Sequence, residues 1–183
     1  LVGSEMCIRD RSKVTFPGAG VAAMAASRRN IDYILKNMFP MIISFDKLNQ
    51  VRHIRFLKDM DGLAAHMEKH RALLEPKFRA VLAILDEGLS GCGSIARWTK
   101  PNGGYFLSLY TLGGCAKRTV QLCREAGVVL TDAGAAYPYG VDPQDSNIRI
   151  APTFPPLDEL ETASRLLCVC VRIATLEKLL QRQ

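Results

Sequence analysis

The chain has 183 residues, of which 48% are hydrophobic and 23% are charged, and this composition excludes a predominantly disordered protein. No apolar run approaches the roughly 18 residues that a membrane-spanning helix needs, so we expect no membrane partner. The formal net charge is +6, but the basic residues are dispersed without a polybasic run, which favours a solvated, mildly basic surface over a nucleic-acid-binding one.

The first predicted elements follow an N-terminal stretch of a different character. LVGSEMCIRD has neither the period of a helix nor that of a strand, and it lacks the basic region and apolar core of a signal peptide. From Ser12 onward, VTF predicts a short strand and PGAG a turn, while VAAMAAS is either a strand or the start of a helix. Ser27 is the predicted N-cap of a helix that contains residues 30–36.

The middle of the chain is predicted to be mainly helical. Residues 39–59 predict a loop that leads into a short helix. Apolar residues then recur at helical spacing between Asp61 and Gly88, at Leu63, Met67, Leu74, Phe78, Val81 and Leu85. Pro76 lies within this stripe, so we expect the helix to be kinked or split there.

The last part of the chain mixes strands and helices. ARWTKPNGG followed by YFLSLYTL predicts two strands around a turn, and residues 115–126 predict a helix that Gly127 closes. VVLT and SNIRIAPT are predicted strands, and residues 157–180 predict a long amphipathic helix with one apolar face. The second half is therefore expected to form an α+β layer.

Three patterns resemble binding signatures but lack essential parts. GAGVAA matches a dinucleotide fingerprint, yet the nearest acid, Asp32, lies in a helical stretch, so a nucleotide fold is not favoured. His66 and His70 have metal-ligand spacing in HMEKH, but the sequence is not HExxH, which favours solvated helix histidines. The six cysteines contain no CxxC pair, so we expect reduced, mostly buried thiols and no metal site.

Two cationic residues occupy unusual settings. Lys13 stands just before a glycine-rich turn; such a lysine is usually solvated, but among apolar neighbours its amine becomes a nucleophile toward aldehydes. Arg149 stands between Ile148 and Ile150 in a predicted strand, where its guanidinium needs an anionic partner. That partner is either an acid of the same protein, in an internal ion pair, or a carboxylate ligand.

Five segments in order carry a resemblance: SKVTFPGAGVAAMAAS, DKLNQVRHIRFLKD, ARWTKPNGGYFLSL, REAGVVLTDAGAAYPYGVDPQDSN and IRIAPTFPPLDELE. They resemble the C-terminal half of fold-type-I, pyridoxal-phosphate-dependent aminotransferases, and most nearly the bacterial aspartate aminotransferase subgroup related to MocR-type domains. The resemblance covers residues 12 to about 180. It implies an α/β fold, represented here by the end of the large domain and an α+β small C-terminal domain.

The resemblance also implies roles for individual residues. Lys13, after Ser12, matches the lysine that binds pyridoxal 5'-phosphate covalently and then moves a proton between the substrate and the cofactor. Arg149 in NIRIAP matches the arginine that grips the substrate carboxylate. Asn102–Phe106 matches a hairpin near the substrate entrance.

The chain departs from the family pattern where an arginine commonly clamps the cofactor phosphate, eight residues after the lysine. That position holds Val21, so Ser12 or the backbone amides of the turn at Gly18–Gly20 are expected to help bind the phosphate instead. A basic group for a second substrate carboxylate is expected too, and Arg52 and His53 are the candidates.

These implications predict three segments. Residues 1–11 resemble a translated sequencing adapter and are expected to be a disordered or arbitrarily placed tail. Residues 12–58 are expected to end the cofactor-binding large domain, and residues 59–183 to form the small domain. We expect the segment alone to be inactive, and the intact cytoplasmic homodimer to transfer the amino group of aspartate to 2-oxoglutarate. The alternatives are another amino-acid specificity, or the effector domain of a MocR-type transcription regulator.

Overall fold

The computed structural model describes residues 14–42 and 44–181, together with the backbone of residues 6–10. The chain divides into two compact units, Leu1–Ala72 and Leu73–Gln183, and each is described by itself. None of the helices in these described stretches is both long and apolar enough to cross a membrane.

The first unit contains a two-stranded antiparallel sheet and helical segments. Its elements are β1 (Met6–Asp10), β2 (Ala22–Ala26), α1 (Arg28–Met38), α2 (Lys47–Leu57) and the start of α3 (Met60–Leu89). Ser27 caps α1, as predicted, because its side chain accepts a hydrogen bond from the N–H of Asn30 at 3.4 Å. Asp46 caps α2 in the same way through the N–H of Asn49, at 2.9 Å.

Two expectations for this unit are wrong. VTF forms no strand, because the N–H of Ala19 bonds to the carbonyl of Phe16 at 3.1 Å and Gly18 adopts φ +73°, which turns the chain back at once. Disorder, one of the two alternatives expected for the N-terminal stretch, is wrong for Met6–Asp10, which pairs with β2 from Met6 opposite Ala26 to Asp10 opposite Ala22. VAAMAAS is a strand rather than a helix start.

The second unit is a three-stranded antiparallel sheet with helices. The strands β3 (Ala96–Trp98), β4 (Leu107–Thr111) and β5 (Asn147–Ile150) lie in that order, and the helices are the remainder of α3, α4 (Ala116–Glu125) and α5 (Leu157–Leu180). The predicted hairpin, the strand around Arg149 and both C-terminal helices are confirmed. One-turn 3-10 segments occur at Ser90–Cys92 and Pro138–Gly140.

Two details of this unit differ from expectation. Of the two effects expected at Pro76, a split is wrong, because α3 continues to Leu89 although proline removes one helical hydrogen bond. VVLT forms no strand: the N–H of Val128 bonds to the carbonyl of Cys123 at 2.8 Å, so the segment closes the end of α4 instead of joining the sheet.

The core of the second unit lies between the sheet and its helices. The strands β4 and β5 and the three helices all contribute buried apolar side chains. Among them are Val81, Leu85, Leu107, Leu109, Val120, Ile148, Leu167 and Val171. Helices α3 and α5 approach closely at Gly88, where an added Cβ atom would lie 2.9 Å from the side chain of Cys168. The strand that carries Arg149 is therefore held by a packed core.

Candidate active site

The two residues predicted to contact the cofactor, Ser12 and Lys13, lie outside the described residues. The turn at residues 14–20, hereafter the post-lysine turn, is the nearest described part of that predicted site. Arg149, the predicted substrate-binding residue, lies in β5 of the second unit.

Arg149 is held in register by its strand. It lies opposite Ser108 of β4, and its neighbours Ile148 and Ile150 point into the core with 0% and 6% exposure. Its guanidinium carbon lies 4.8 Å from the ring centroid of Phe106, close enough for a cation–π contact. The apolar neighbours and this ring together fix the direction of the side chain.

The Nε atom of Arg149 is buried and lacks a hydrogen-bond partner in the described part of the protein. No described carboxylate lies within ion-pair distance of its guanidinium. The internal ion pair that the sequence left open as an alternative is therefore absent from the described part of the chain. A buried guanidinium donor without a partner is suited to a planar anionic ligand such as a carboxylate.

A cavity of about 560 Å³ lies beside Arg149. Its walls come from residues 127–131, from the end of β5 and from the first turns of α5, and they are mainly apolar. Asp158 and Glu159 of α5 also line this cavity. The cavity thus combines a cationic donor, acidic side chains and apolar walls within one unit.

Two hydrogen-bonded loops hold β5, and sequence reasoning missed both. The carboxylate of Asp142 accepts bonds from the N–H groups of Gln144, Ser146 and Asn147 at 3.0, 2.7 and 2.8 Å. Partial burial raises the pKa of Asp142, but these bonds and one from the Ser146 hydroxyl outweigh it, so the pKa falls below its usual value. The sequence DPQDSN is typical of such an Asx turn and offered a usable signal.

The second of these loops follows β5. Lys77 of α3 donates to the carbonyl oxygens of Thr153 and Pro155 at 2.9 and 2.6 Å. The ammonium group thereby ties the segment after β5 to α3. Arg149 thus stands between two anchored ends of its strand.

His53 of α2 is not placed to bind a substrate carboxylate. Its Nδ1 lies 2.8 Å from the carbonyl oxygen of Asn49, and its Nε2 lies 2.6 Å from the hydroxyl of Thr15 in the post-lysine turn. Because both ring nitrogens bond within the protein, His53 is wrong as a candidate for the second carboxylate. Arg52, the other candidate, has its guanidinium carbon 5.6 Å from the ring centroid of Phe16.

His66 and His70 are half-buried rather than simply solvated, which corrects the expectation for them. The Nε2 of His66 lies 2.6 Å from the carbonyl oxygen of Val14 and 3.1 Å from the Nε2 of His70. Within the described stretches, no three His, Cys, Asp or Glu side chains are grouped to bind a metal ion. His66 instead contributes to holding the post-lysine turn.

The described cysteines match the expectation of reduced, mostly buried thiols. Cys115, Cys123, Cys168 and Cys170 are free and buried, and Cys92 is free and half-buried. Burial raises the pKa of Cys123 to about 12 and that of Cys168 to about 11. Few thiolates therefore form at these two residues near neutral pH, which makes them weak nucleophiles.

A family model described as aspartate amino-transferase matches residues 4–183 of the chain. The chain belongs to the aspartate amino-transferase family. The match covers the post-lysine turn, Arg149 and the cavity beside it, so these features belong to an aminotransferase.

Individual relatives agree with this family. A protein of Mycolicibacterium smegmatis, named only as a candidate aminotransferase, is 50% identical over 92% of this chain and 39% of its own length. The crystal structure of an aspartate transaminase from Corynebacterium glutamicum is 42% identical, with a TM-score of 0.87 over 94% of this chain and 41% of its own. The chain thus spans about two fifths of the length of these relatives.

More distant structures confirm the fold. The α-aminoadipate aminotransferase LysN from Thermus thermophilus, complexed with N-(5'-phosphopyridoxyl)-L-leucine, is 21% identical and has a TM-score of 0.73 over 93% of this chain. Together with the more similar transaminase structure, it confirms the expected fold class, a fold-type-I aminotransferase with mixed helix and sheet.

The post-lysine turn of this aminotransferase chain fits an anionic cofactor group. The amide nitrogen of Asn49 donates to the carbonyl oxygens of Ala19 and Gly20 at 2.8 and 3.4 Å. Since the peptide bonds are trans, the N–H groups of Gly20 and Val21 point to the opposite side, away from Asn49. Backbone donors oriented in this way are suited to an anion such as a phosphate.

Proposed function

We propose that this chain forms part of a longer pyridoxal-phosphate-dependent aminotransferase that transfers the amino group of aspartate to 2-oxoglutarate. The observation that carries the proposal is the buried, unpartnered Nε of Arg149 beside the ring of Phe106. The aspartate transaminase from Corynebacterium glutamicum supports the choice of substrates by its similarity. The cofactor follows from the family and from Lys13.

In the proposed reaction Arg149 binds the α-carboxylate of the substrate. Its planar guanidinium donates hydrogen bonds to both carboxylate oxygens in one orientation, whereas an ammonium group would permit many orientations. Holding the carboxylate in this way fixes the direction of the bond from Cα to hydrogen, which must be aligned for proton removal. The ring of Phe106, whose centroid lies 4.8 Å from the guanidinium carbon, limits the rotation of the guanidinium.

Lys13 is the proposed proton-transfer residue. Its amine would hold the cofactor covalently, and once a substrate is bound the free amine would act as the base that removes the proton from Cα and then as the acid that returns a proton. The cofactor supplies the electron sink that makes this proton acidic. Ser12 and the amides of Gly20 and Val21 are the proposed partners of the phosphate.

The working enzyme requires more than this chain. The described residues of the first unit expose many large apolar side chains, including Tyr33, Phe39, Met41, Phe45, Leu48 and Met60. Exposed apolar surface of this extent marks an interaction surface. We expect it to be covered in a longer polypeptide and a cytoplasmic homodimer, and the chain alone to be inactive.

The proposed domain division follows the resemblance. Residues 12–58 would complete the large domain and residues 59–183 form the small one, with residues 1–11 derived from an adapter.

The lysine is tested by trapping the cofactor chemically in the intact enzyme. Borohydride reduction should attach one phosphopyridoxyl group to the peptide that contains Lys13, as read by mass spectrometry. The Lys13→Ala variant should retain the fold but lose this adduct, the absorbance of the lysine-bound cofactor and turnover. An adduct on another lysine in the unmodified enzyme would refute the assignment.

The carboxylate clamp is tested by Arg149→Lys, with Arg97→Lys as the matched control. Arg97 also lies on a strand of the same sheet with its guanidinium carbon over a ring, 4.0 Å from the centroid of Tyr110, but it does not line the cavity. We expect kcat/KM with aspartate to fall about a hundredfold for Arg149→Lys and to change less than about threefold for Arg97→Lys. Equal kcat/KM values for the two variants would refute the assignment of Arg149 as the carboxylate-binding residue. A separate comparison of kcat/KM across a panel of amino acids tests the aspartate preference.

A further inference from the structure

We propose that Asn49 and His53 of α2 are positioning residues that fix the post-lysine turn and thereby set the reach of the Lys13 amine. The inference rests on the role of Lys13 under the proposed function. It assigns an indirect part in the reaction to two residues that touch neither substrate nor cofactor, and its argument lies entirely within the first unit.

Burial singles out these two residues. Among the described residues up to Ala72, only Asn49 and His53 are buried, each with 8% of its surface exposed, and both are polar. Polar groups are buried only where hydrogen bonds offset the loss of water. Because the two residues are four apart on α2, they lie on the same face of the helix, and both bond to the post-lysine turn.

The two hydrogen bonds of His53 determine which ring nitrogen carries the hydrogen. The carbonyl oxygen of Asn49 can only accept, so the Nδ1 atom of His53, 2.8 Å away, carries the hydrogen. In the neutral ring the Nε2 atom is then an acceptor, and it receives the hydroxyl hydrogen of Thr15 across 2.6 Å. Thr15 follows Lys13 by two residues, so this bond anchors the chain next to the lysine.

Asn49 anchors the other end of the turn. Its Nδ2 donates to the carbonyl oxygens of Ala19 and Gly20, while its own Oδ1 is buried and has no partner among the described residues. The fold thus retains an unsatisfied buried acceptor at the position that holds these two carbonyl groups. Asn49 and His53 together grip both ends of the turn.

Aromatic contacts support the middle of the turn. The ring of Phe16 packs edge-on against His53, with centroids 5.3 Å apart, and against Phe56 of α2, at 5.1 Å. The carbonyl oxygen of Val14 meets His66. Hydrogen bonds and ring contacts therefore restrain the backbone that begins immediately after Lys13.

Such restraint matters for the proposed chemistry. One amine must remove a proton at one carbon and deliver it at another, and misplacement of a reacting group by about 1 Å costs on the order of a hundredfold in rate. A lysine on a mobile backbone would lose this alignment although its amine remained chemically intact. The restraint of the turn by Asn49 and His53 therefore acts on proton transfer and not on substrate affinity.

Thr15→Val is the sharpest test, because it removes the hydroxyl but keeps the size of the side chain and leaves His53 in place. In the intact holoenzyme we expect the transfer of the Cα proton, measured in single turnovers with Cα-deuterated aspartate, to slow about tenfold or more with KM nearly unchanged. Thr15→Ser, which keeps the hydroxyl, should recover at least about a third of the original rate. The control Thr175→Val makes the same change at a buried threonine of the second unit and should leave the rate unaltered.

Amide hydrogen exchange gives a readout apart from activity. Exchange within residues 14–21 should become about tenfold faster in Thr15→Val but not in Thr15→Ser or Thr175→Val. His53→Phe keeps an aromatic ring against Phe16 and removes the same bond from the other side. Adding Thr15→Val to His53→Phe should therefore change exchange less than about twofold.

The outcomes separate the two proposals. Unchanged proton transfer or unchanged exchange in Thr15→Val would overturn the proposal that Asn49 and His53 position Lys13, even with the cofactor trapped on Lys13 by borohydride. Additive effects of His53→Phe and Thr15→Val would overturn it too, since the two residues would then act independently. If the cofactor is trapped elsewhere in the unmodified enzyme, the role of Lys13 fails, while hydrogen exchange still decides whether the bond between Thr15 and His53 holds the turn.

Discussion

The unit from Leu73 to Gln183 buries an apolar core drawn from its helices and from two of its strands, whereas the described residues before it bury two polar side chains. Both regions contain regular helices with defined ends, so secondary structure alone does not distinguish them. The difference lies in what each region can remove from water. The second unit buries apolar side chains in a core of its own. In the first unit the two buried side chains form hydrogen bonds to the post-lysine turn.

This contrast predicts unequal autonomy, which is the largest effect we expect. A fragment of residues 60–183, which keeps α3 whole, should unfold in one cooperative thermal transition because it retains the entire apolar core. A fragment of residues 14–72 should show no such transition. Circular dichroism and calorimetry measure both, and a cooperative transition in the shorter fragment would contradict the comparison.

Truncation of one leucine in each unit should change the free energy of unfolding by different amounts. Leu85→Ala opens a cavity in the core at a side chain with 0% exposure and should lower the free energy of unfolding by about 3 kcal/mol. Leu48→Ala makes the same change at a side chain with 83% exposure and should cost less than about 0.5 kcal/mol. Chemical denaturation of the two variants decides the matter, and similar losses would show that burial does not separate the units.

The Asx turn before β5 should give a smaller and pH-dependent effect. Asp142→Asn removes the charge that three backbone N–H groups surround, and should lower stability by about 1 to 2 kcal/mol at pH 7. Since folding lowers the pKa of Asp142 below 3.8, the advantage of the unmodified protein is complete above that pH and disappears as the pH falls through the lowered pKa.

The matched control for this variant is Asp132→Asn. Asp132 meets Arg124 at 3.0 Å in an exposed ion pair, whose loss should cost at most about 0.5 kcal/mol. Denaturation curves between pH 3 and pH 7 compare the two variants. A difference at Asp142 that does not shrink in acid would show that the carboxylate charge is not the stabilising element.

The last prediction concerns thiol reactivity and involves no change in stability. With a pKa of about 12 at Cys123 and about 11 at Cys168, few thiolates form at pH 8, so both residues should be alkylated at least about a hundredfold more slowly than the half-buried Cys92. Unfolding should make the rates similar. Rapid labelling of Cys123 in the native protein would indicate that the core opens readily.

Much of the second unit was predictable because its patterns are periodic. The apolar face of residues 157–180 recurs at helical spacing, and Leu160, Leu167, Val171 and Ala174 on it are buried. Arg149 was identified as a site candidate because a charge between two isoleucines conflicts with an otherwise apolar strand, and its Nε is indeed buried and unpartnered. Local periodicity and a local conflict were both visible in the sequence.

Contacts between distant positions were not predictable. VTF has strand-like residues, but its fate depends on a reversal at Gly18 and on bonds to His53 and His66, which lie 38 and 52 residues from their partners. VVLT likewise has high strand propensity, yet the end of α4 holds it away from the sheet. The predicted roles of Ser12 and Lys13 stay predictions, since both residues lie outside the described stretches.

The unpartnered guanidinium nitrogen of Arg149 also has a thermodynamic meaning. A buried donor without an acceptor raises the free energy of the folded protein, and a bound carboxylate would relieve that cost. Under the proposed function the substrate is then also a stabilising ligand, worth about 2.7 kcal/mol when it exceeds its Kd a hundredfold. Melting temperature measured against aspartate concentration would thus report the occupancy of Arg149 without any turnover.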